Sequence, residues 1–199
     1  LMSSDVKNTG RRKFLTAATS VVGAAGAVGI AVPFVGSWNP SAKAKAAGAP
    51  VKFDMSKIEP GQLVRVEWRG KPVFVVRRTA DQIAALPSIK GELKDADSAN
   101  ADQQPTYVNP ETRAIKDEYL VLVGLCTHLG CSPKYLTELD GVPGGGEWAG
   151  GFFCACHGSK FDMAGRVYNG SPASDNLLVP PYSYTSDTVI VIGVDEEAA

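Results

Sequence analysis

Hydrophobic and polar residues alternate along Leu63-Val64-Arg65-Val66-Glu67-Trp68, which is the pattern of a β-strand with one buried face. The apolar stretch from Pro72 to Arg77 predicts a partner strand, joined to the first by a hairpin across Arg69-Gly70. Further apolar runs predict strands at 119–123, 151–153 and 188–194. Mostly short strands with few long helical patterns favour a mainly antiparallel β fold for residues 51–199.

Helical and irregular segments lie between these strands. Thr79-Ala80-Asp81-Gln82 has the pattern of a capping box and predicts a short helix that ends before Pro87. Residues 91–118 are rich in Asn, Asp, Gln and Pro, which indicates an irregular insertion. The segment 138–151 includes a glycine-rich run that permits tight turns.

The N-terminal part follows a different pattern. The run from Phe14 to Val35 has no charged residue, and at about 1.5 Å per residue it reaches roughly 33 Å, enough to cross the apolar core of a bilayer. This predicts a retained transmembrane anchor over residues 14–38. The basic residues before it predict that residues 1–13 lie in the cytoplasm. Residues 39–50 are small and include Pro at both sides, which is typical of a linker.

The segment Thr9-Gly10-Arg11-Arg12-Lys13-Phe14-Leu15 resembles a twin-arginine export signal. Arg11 and Arg12 would be its paired arginines. Export by that route suits a domain that acquires its metal before it crosses the membrane.

Charge narrows the function classes only slightly. The formal net charge of the chain is −1, but residues 51–199 carry six more acidic than basic side chains. The sequence has no basic patch with interleaved aromatic residues of the kind that would indicate nucleic-acid binding. The acidic excess is interpreted as favouring solubility.

The metal-ligating residues are concentrated in two short boxes. All four cysteines and both histidines of the chain fall into Cys126-Thr127-His128-Leu129-Gly130-Cys131 and Cys154-Ala155-Cys156-His157-Gly158-Ser159. Four ligands can be drawn as Cys-x-His and Cys-x-x-His, leaving Cys131 and Cys156 for a disulfide. Alternatively, all four cysteines are ligands. Two cysteines and two histidines fit either a tetrahedral zinc ion or a Rieske 2Fe–2S centre.

The two boxes together resemble those of the Rieske iron–sulfur subunit of the quinol:cytochrome c reductase (cytochrome bc1) complex. The hairpin Trp68-Arg69-Gly70-Lys71-Pro72-Val73-Phe74 and the N-terminal anchor extend the resemblance over most of the chain. It implies an antiparallel Rieske-type β head at 51–199 with a small cluster-binding subdomain at about 120–180. One transmembrane helix would precede this head, and residues 39–50 would be a hinge.

The resemblance also implies roles for individual residues. Cys126 and Cys154 would bind one iron of a single 2Fe–2S cluster, and His128 and His157 the other. The remaining roles are a Cys131–Cys156 disulfide, a hydroxyl donor to a bridging sulfide at Ser159, and a docking tip that includes Leu129, Gly130, Gly158 and Pro172. Phe161 stands where high-potential relatives carry a tyrosine whose hydroxyl donates to a ligand thiolate. We therefore expect a lower potential here.

The resemblance implies an electron-transfer subunit of a respiratory oxidoreductase in a bacterial inner membrane, with its head in the periplasm. His157 would accept a hydrogen bond and a proton from quinol docked on cytochrome b, and the electron would pass to cytochrome c1 in a dimeric complex. The alternatives are the Rieske small subunit of another periplasmic oxidoreductase, such as an arsenite oxidase, a Rieske ferredoxin or oxygenase domain, and a tethered zinc module.

Overall fold

The computed structural model describes residues 8–137, 141 and 148–195. It separates the chain into two compact units, residues 1–46 and 47–199. The predicted cytoplasmic segment 1–13 is therefore described only from residue 8 onward, and most of the 138–151 loop lies outside the described residues.

The N-terminal unit contains a single long helix. Helix α1 (Thr9–Gly36) has 28 residues, and its N-cap is Asn8, whose side chain accepts a hydrogen bond from the Arg11 backbone. By length and composition α1 is able to cross a membrane, and none of its residues is buried. It begins five residues before the predicted anchor and ends two residues earlier. A six-residue helix, α2 (Ala42–Ala47), lies within the predicted linker.

The predicted hairpin is the centre of the first sheet of the head. Strands β2 (Leu63–Trp68) and β3 (Lys71–Arg77) pair antiparallel, and β4 (Tyr119–Val123) pairs with β3 on its other side. At the turn, Arg69 and Gly70 both have positive φ, as a two-residue hairpin turn of matching twist requires. All five residues of β4 are buried, so this strand lies in the core, where it leads directly to Cys126.

A second sheet joins the two ends of the head. Strand β1 (Val51–Asp54) pairs with β9 (Val189–Ile192), which also pairs with β8 (Tyr182–Ser186), all antiparallel. Ile190, Ile192 and Tyr182 are fully buried and belong to the same hydrophobic core as β3 and β4. The last predicted strand is therefore confirmed but is shorter than residues 188–194.

The third sheet carries the second box. Strands β5 (Lys134–Leu136), β6 (Gly151–Cys154) and β7 (Ser159–Phe161) form an antiparallel sheet, with Cys154 opposite Ser159 and Phe152 opposite Phe161. The three sheets confirm a mainly antiparallel β fold.

The predicted capping box is present. Helix α3 (Ala80–Ala84) follows Thr79, whose side chain accepts from Gln82, while the Gln82 side chain accepts from the Thr79 backbone. The insertion 91–118 contains only a short 3₁₀ turn at Ala101–Gln103, the end of another at Lys90–Glu92, and one isolated bridge, between Leu93 and Tyr168. It is therefore irregular, as its composition predicted.

Candidate metal centre

The two boxes adopt the same local turn. The Gly130 backbone N–H donates to the Cys126 carbonyl at 2.9 Å, and the Gly158 N–H donates to the Cys154 carbonyl at 2.9 Å. Both glycines have a φ near +80°, a conformation that residues with a Cβ rarely adopt. Each turn thus begins at a buried cysteine and carries a histidine two or three residues later toward the surface.

A disulfide joins the two turns. Cys131 and Cys156 are bonded to each other across 25 residues of sequence, which confirms the pairing suggested by the two boxes. The Cys126 N–H also donates to the Cys131 carbonyl at 2.7 Å and closes the first turn on itself. The disulfide therefore holds the two turns side by side, and Cys126 and Cys154 remain as the free cysteines.

These two free thiols are buried and lie near each other. Cys126 and Cys154 are 3% and 2% exposed, and each thiol lies within the electrostatic surroundings of the other. Burial, together with the neighbouring Cys126 thiol, raises the pKa of Cys154 above its ordinary value. A pair of adjacent buried thiols suits a bound cation, because coordination deprotonates a thiol that the protein interior alone keeps neutral.

The two histidines also converge. The His128 and His157 rings lie edge to face, with centroids 4.7 Å apart. Within the described part of the chain, the Nδ1 atom of His128 is buried without a hydrogen-bond partner. A buried polar atom without a partner is costly, and an imidazole nitrogen facing a metal ion has its partner there. The His157 side chain is exposed.

This donor set fits an iron–sulfur cluster. The sulfur atoms of Cys131, Cys154 and Cys156 also lie within 4.8 Å of one another. However, the disulfide sulfurs of Cys131 and Cys156 are not thiolates, so that trio is not a ligand set. A two-iron cluster places its cysteine and histidine pairs on different irons, so its four ligand atoms need not lie in one such group.

A third loop, residues 170–176, lies against both boxes. Ser159 is fully buried, and its Oγ accepts a hydrogen bond from the Ala173 N–H at 3.0 Å, which leaves the hydroxyl proton available to donate. Thr127 Oγ1 donates to the Asp175 carbonyl at 2.6 Å. This second contact was not predictable from local sequence, because its partners are 48 residues apart.

The residues predicted for the docking tip are all exposed. Leu129 is 72% exposed, and Gly130, Gly158 and Pro172 are also at the surface. Among the described residues of the head, Leu129 is the single large hydrophobic side chain that is exposed. The His157 side chain of the second box is exposed as well.

A buried ion pair follows directly after the last strand of the third sheet. The Asp162 carboxylate, immediately after β7, accepts from the Ala164 N–H, the Arg166 N–H and Arg166 Nε at 2.9, 2.7 and 2.7 Å. Both side chains of this ion pair are completely buried. Arg166 also donates to the carbonyls of Leu86 and Ala96, and so ties this turn to two other segments of the head.

Two further buried arginines reach the same turn. Arg78 donates to the Met163 carbonyl, and Arg113 donates to the Ala164 carbonyl. Burial lowers the pKa of each to about 10, and the negative charge of Asp162 opposes that shift. This cluster was not predicted, although Asp162 and Arg166 are opposite charges only four residues apart in the sequence.

Phe161 allows a test of cluster tuning. Its ring is fully buried, and it lies on the same face of the β6–β7 pair as Ser159 and Cys154. A hydroxyl added by Phe161→Tyr is expected to donate a hydrogen bond to a ligand thiolate and so to raise the midpoint potential of the cluster. About 1 kcal/mol of differential stabilisation corresponds to about 40 mV for a one-electron couple.

The measurement is a redox titration of Phe161→Tyr beside Phe153→Tyr. Phe153 lies on the opposite face of β6, so its added hydroxyl should leave the midpoint unchanged. An unchanged midpoint in Phe161→Tyr, or equal shifts in both variants, would show that the missing hydroxyl does not tune the site.

Comparisons with known proteins agree with a Rieske-type cluster and identify the family. Residues 90–183 match the family described as "Rieske [2Fe-2S] domain", and residues 1–41 match "Ubiquitinol-cytochrome C reductase Fe-S subunit TAT signal". The chain is 54% identical over 198 residues to the "Ubiquinol-cytochrome c reductase iron-sulfur subunit" of Allochromatium vinosum, covering 100% of this chain and 95% of the relative. The protein of the same name from Blastochloris viridis is 43% identical, with 97% and 98% covered.

A solved structure titled "Hyperthermophilic respiratory Complex III" also matches. It has 25% identity and a TM-score of 0.45, and the match covers 87% of this chain and 98% of the other.

Proposed function

The chain belongs to the ubiquinol-cytochrome c reductase iron-sulfur subunits, and from that premise we propose that its head accepts one electron and one proton from quinol at a cytochrome b site and passes the electron to cytochrome c1. The protein is thus a membrane-anchored subunit of an oxidoreductase with a Rieske [2Fe-2S] domain. Family membership decides against an arsenite oxidase subunit, and the domain match decides against a zinc module.

The ligand assignment is part of the proposal. Cys126 and Cys154 would hold one iron and His128 and His157 the other, and the bound cluster would supply one-electron oxidation and reduction. The buried thiol pair supports this assignment, as does the Nδ1 of His128, which has no hydrogen-bond partner among the described residues. The disulfide and the two glycine turns keep the ligands in place, so that little rearrangement accompanies electron transfer.

The exposed tip of the head is the part that contacts quinol. His157 is exposed, so a ring nitrogen that does not bind iron is able to accept a hydrogen bond and then a proton from quinol. Leu129, Gly130, Gly158 and Pro172 surround it with small or apolar surface that excludes water when the head docks. The observation that carries the proposal is Leu129, the one large hydrophobic side chain that is exposed among the described residues of the head.

The anchor and hinge complete the proposal. Helix α1 holds the protein in the bacterial inner membrane, with the basic N-terminus in the cytoplasm and the head in the periplasm. Residues 39–50, which contain the boundary between the two compact units, act as the hinge that lets the head visit cytochrome b and cytochrome c1 in turn. Arg11 and Arg12 direct export of the folded head, and the assembled complex is a dimer.

Leu129→Asp tests the docking role. Placing a charge at the apolar tip is expected to lower quinol:cytochrome c reductase activity at least about tenfold, because desolvating the carboxylate opposes docking. The cluster should remain, since Leu129 contacts solvent. Activity and cluster content are measured in membranes that carry the complete complex.

Ser132→Asp is the matched control, because Ser132 is also exposed and follows the first box. Its activity should stay near that of the unmodified protein. Full activity in Leu129→Asp would exclude the exposed leucine as a docking contact, and an equal loss in both variants would indicate a general effect of negative charge.

A further inference from the structure

The third loop, residues 170–176, has contacts on two sides. Toward the boxes it is tied by the Ala173 N–H to Ser159 Oγ, by Thr127 Oγ1 to the Asp175 carbonyl, and by Ser171 Oγ, which accepts from the Lys160 N–H at 3.0 Å. Thr127 lies between the proposed ligands Cys126 and His128 of the first box, and Ser159 lies two residues after the proposed ligand His157 of the second. The position of this loop therefore determines which way the Ser159 hydroxyl is held.

On its other side the loop is supported by the irregular insertion. Lys94 Nζ donates to the Ser171 carbonyl and to the Ala173 carbonyl, both at 2.7 Å. The two carbonyls flank Pro172, so one ammonium group fixes the loop on each side of its exposed proline. Three further hydrogen bonds join the insertion to the loop or to the residue before it: Asn100 Nδ2 to Asp175 Oδ1 at 2.9 Å, Asn176 Nδ2 to the Asp95 carbonyl at 2.9 Å, and the Asn169 N–H to the Glu92 carbonyl at 2.7 Å.

The charge of Lys94 is not used elsewhere. Within the residues that the structure describes, the ion pairs are Arg77–Glu118, Lys90–Asp97, Lys116–Asp187 and Arg166–Asp162, and none of them includes Lys94. Its two acceptors are neutral carbonyls, so the ammonium places a positive charge at the surface beside the loop. A positive charge near the redox site favours the reduced, more negative state, although solvent screens the charge of an exposed lysine.

We propose that Lys94 is a positioning residue for the redox site: it clamps the third loop through the carbonyls that flank Pro172, and thereby fixes the Ala173–Ser159 hydrogen bond and favours the reduced state. The inference rests on the proposed function for its electrochemical part. Its structural part concerns only the loop. The insertion therefore supports the redox site through residues far from either box in sequence.

The experiment compares Lys94→Met with Lys90→Met in the full-length protein within its complex. Lys90 is in the same segment, and its amine pairs with Asp97 at the surface, so its removal deletes the same charge without touching the loop. Hydrogen exchange of a peptide spanning residues 171–175 is measured by mass spectrometry, and the midpoint potential by redox titration. Lys94→Met should speed exchange of this peptide about tenfold and lower the midpoint, while Lys90→Met changes neither.

Lys94→Arg keeps a cation with several donors and should restore most of the exchange protection and of the midpoint. Because Lys94 lies at the surface and its contacts are confined to the loop, Lys94→Met should keep the cooperative unfolding of the unmodified protein, with only a small fall in the unfolding temperature. If Lys94→Met does not accumulate, Lys94→Gln is measured in its place.

Unchanged exchange in Lys94→Met overturns the clamp. Faster exchange with an unchanged midpoint overturns the link between the loop and the redox site. Equal midpoint shifts in Lys94→Met and Lys90→Met also overturn this link, because they show an effect of net charge alone. The exchange measurement involves neither quinol nor cytochrome. A failure of the clamp is therefore distinguishable from a failure of the proposed function.

Discussion

Cys154→Ser is expected to yield a protein with essentially no iron and no quinol:cytochrome c reductase activity. Cys154 is one of the two buried free thiols, and its backbone is held by β6 and by the turn to Gly158. A serine hydroxyl is a poor replacement for a thiolate on iron, so the cluster loses a ligand that no nearby group replaces. Iron content, visible absorbance and activity measure the result.

The matched control removes the other cysteine pair. The double variant Cys131→Ser/Cys156→Ser should still bind iron when freshly prepared, because neither sulfur is a proposed ligand. It should lose stability of about 3–4 kcal/mol, the chain-entropy estimate for a disulfide that closes a loop of 25 residues. Faster loss of iron on storage would follow from that lower stability.

These two variants separate the possible ligand sets. Iron retained in Cys154→Ser would contradict the assignment of Cys126 and Cys154. If the freshly prepared double variant also lacked iron, the result would instead favour ligands drawn from Cys131 and Cys156.

Asp162→Asn is expected to destabilise the head by about 3–5 kcal/mol, the usual cost of removing one partner from a buried ion pair. The substitution leaves Arg166 buried without its counter-ion, and it also removes the negative charge that faces Arg78 and Arg113. The asparagine side chain retains an oxygen for the turn, so the loss comes mainly from charge. Denaturant unfolding of the full-length protein, followed by fluorescence, gives the free energy of unfolding.

Glu118→Gln is the control for this variant. Glu118 pairs with Arg77 at 2.6 Å, but both side chains are partly exposed, and solvent screens such a pair. The change in its free energy of unfolding should be much smaller than that of Asp162→Asn. Equal effects in the two variants would show that burial of the Asp162–Arg166 pair has no special role in holding the third sheet.

Local signals predicted several elements of the fold. The hairpin across Arg69-Gly70, the capping box at Thr79 and the buried strand before Cys126 each depend on neighbouring residues, and all three are confirmed. Strands β5 and β7 have three residues each, too few to show a period of two. Strand β1 was missed because its partner, β9, lies more than a hundred residues away.

In the metal centre, too, local features were predictable from the sequence and long-range contacts were not. The free cysteines, the histidines and the disulfide were predictable because all of them fall within two six-residue boxes. The support for the third loop was not, since Lys94 contacts carbonyls 77 and 79 residues further along the chain. The burial of Arg78 and Arg113 was not predictable either, because arginine is usually exposed and no neighbouring residue indicates that these two are buried.

The central claim is that His128 and His157 bind the same cluster as Cys126 and Cys154. The chain has only these two histidines, so labelling histidine with nitrogen-15 gives an unambiguous probe. The measurement is the electron paramagnetic resonance of the dithionite-reduced, labelled protein, with pulsed detection of nitrogen hyperfine coupling. If both histidines bind the cluster, the signal is rhombic and of the Rieske type, and it is coupled to two histidine nitrogens. A silent spectrum, or a 2Fe–2S signal with no nitrogen coupling, would contradict this claim.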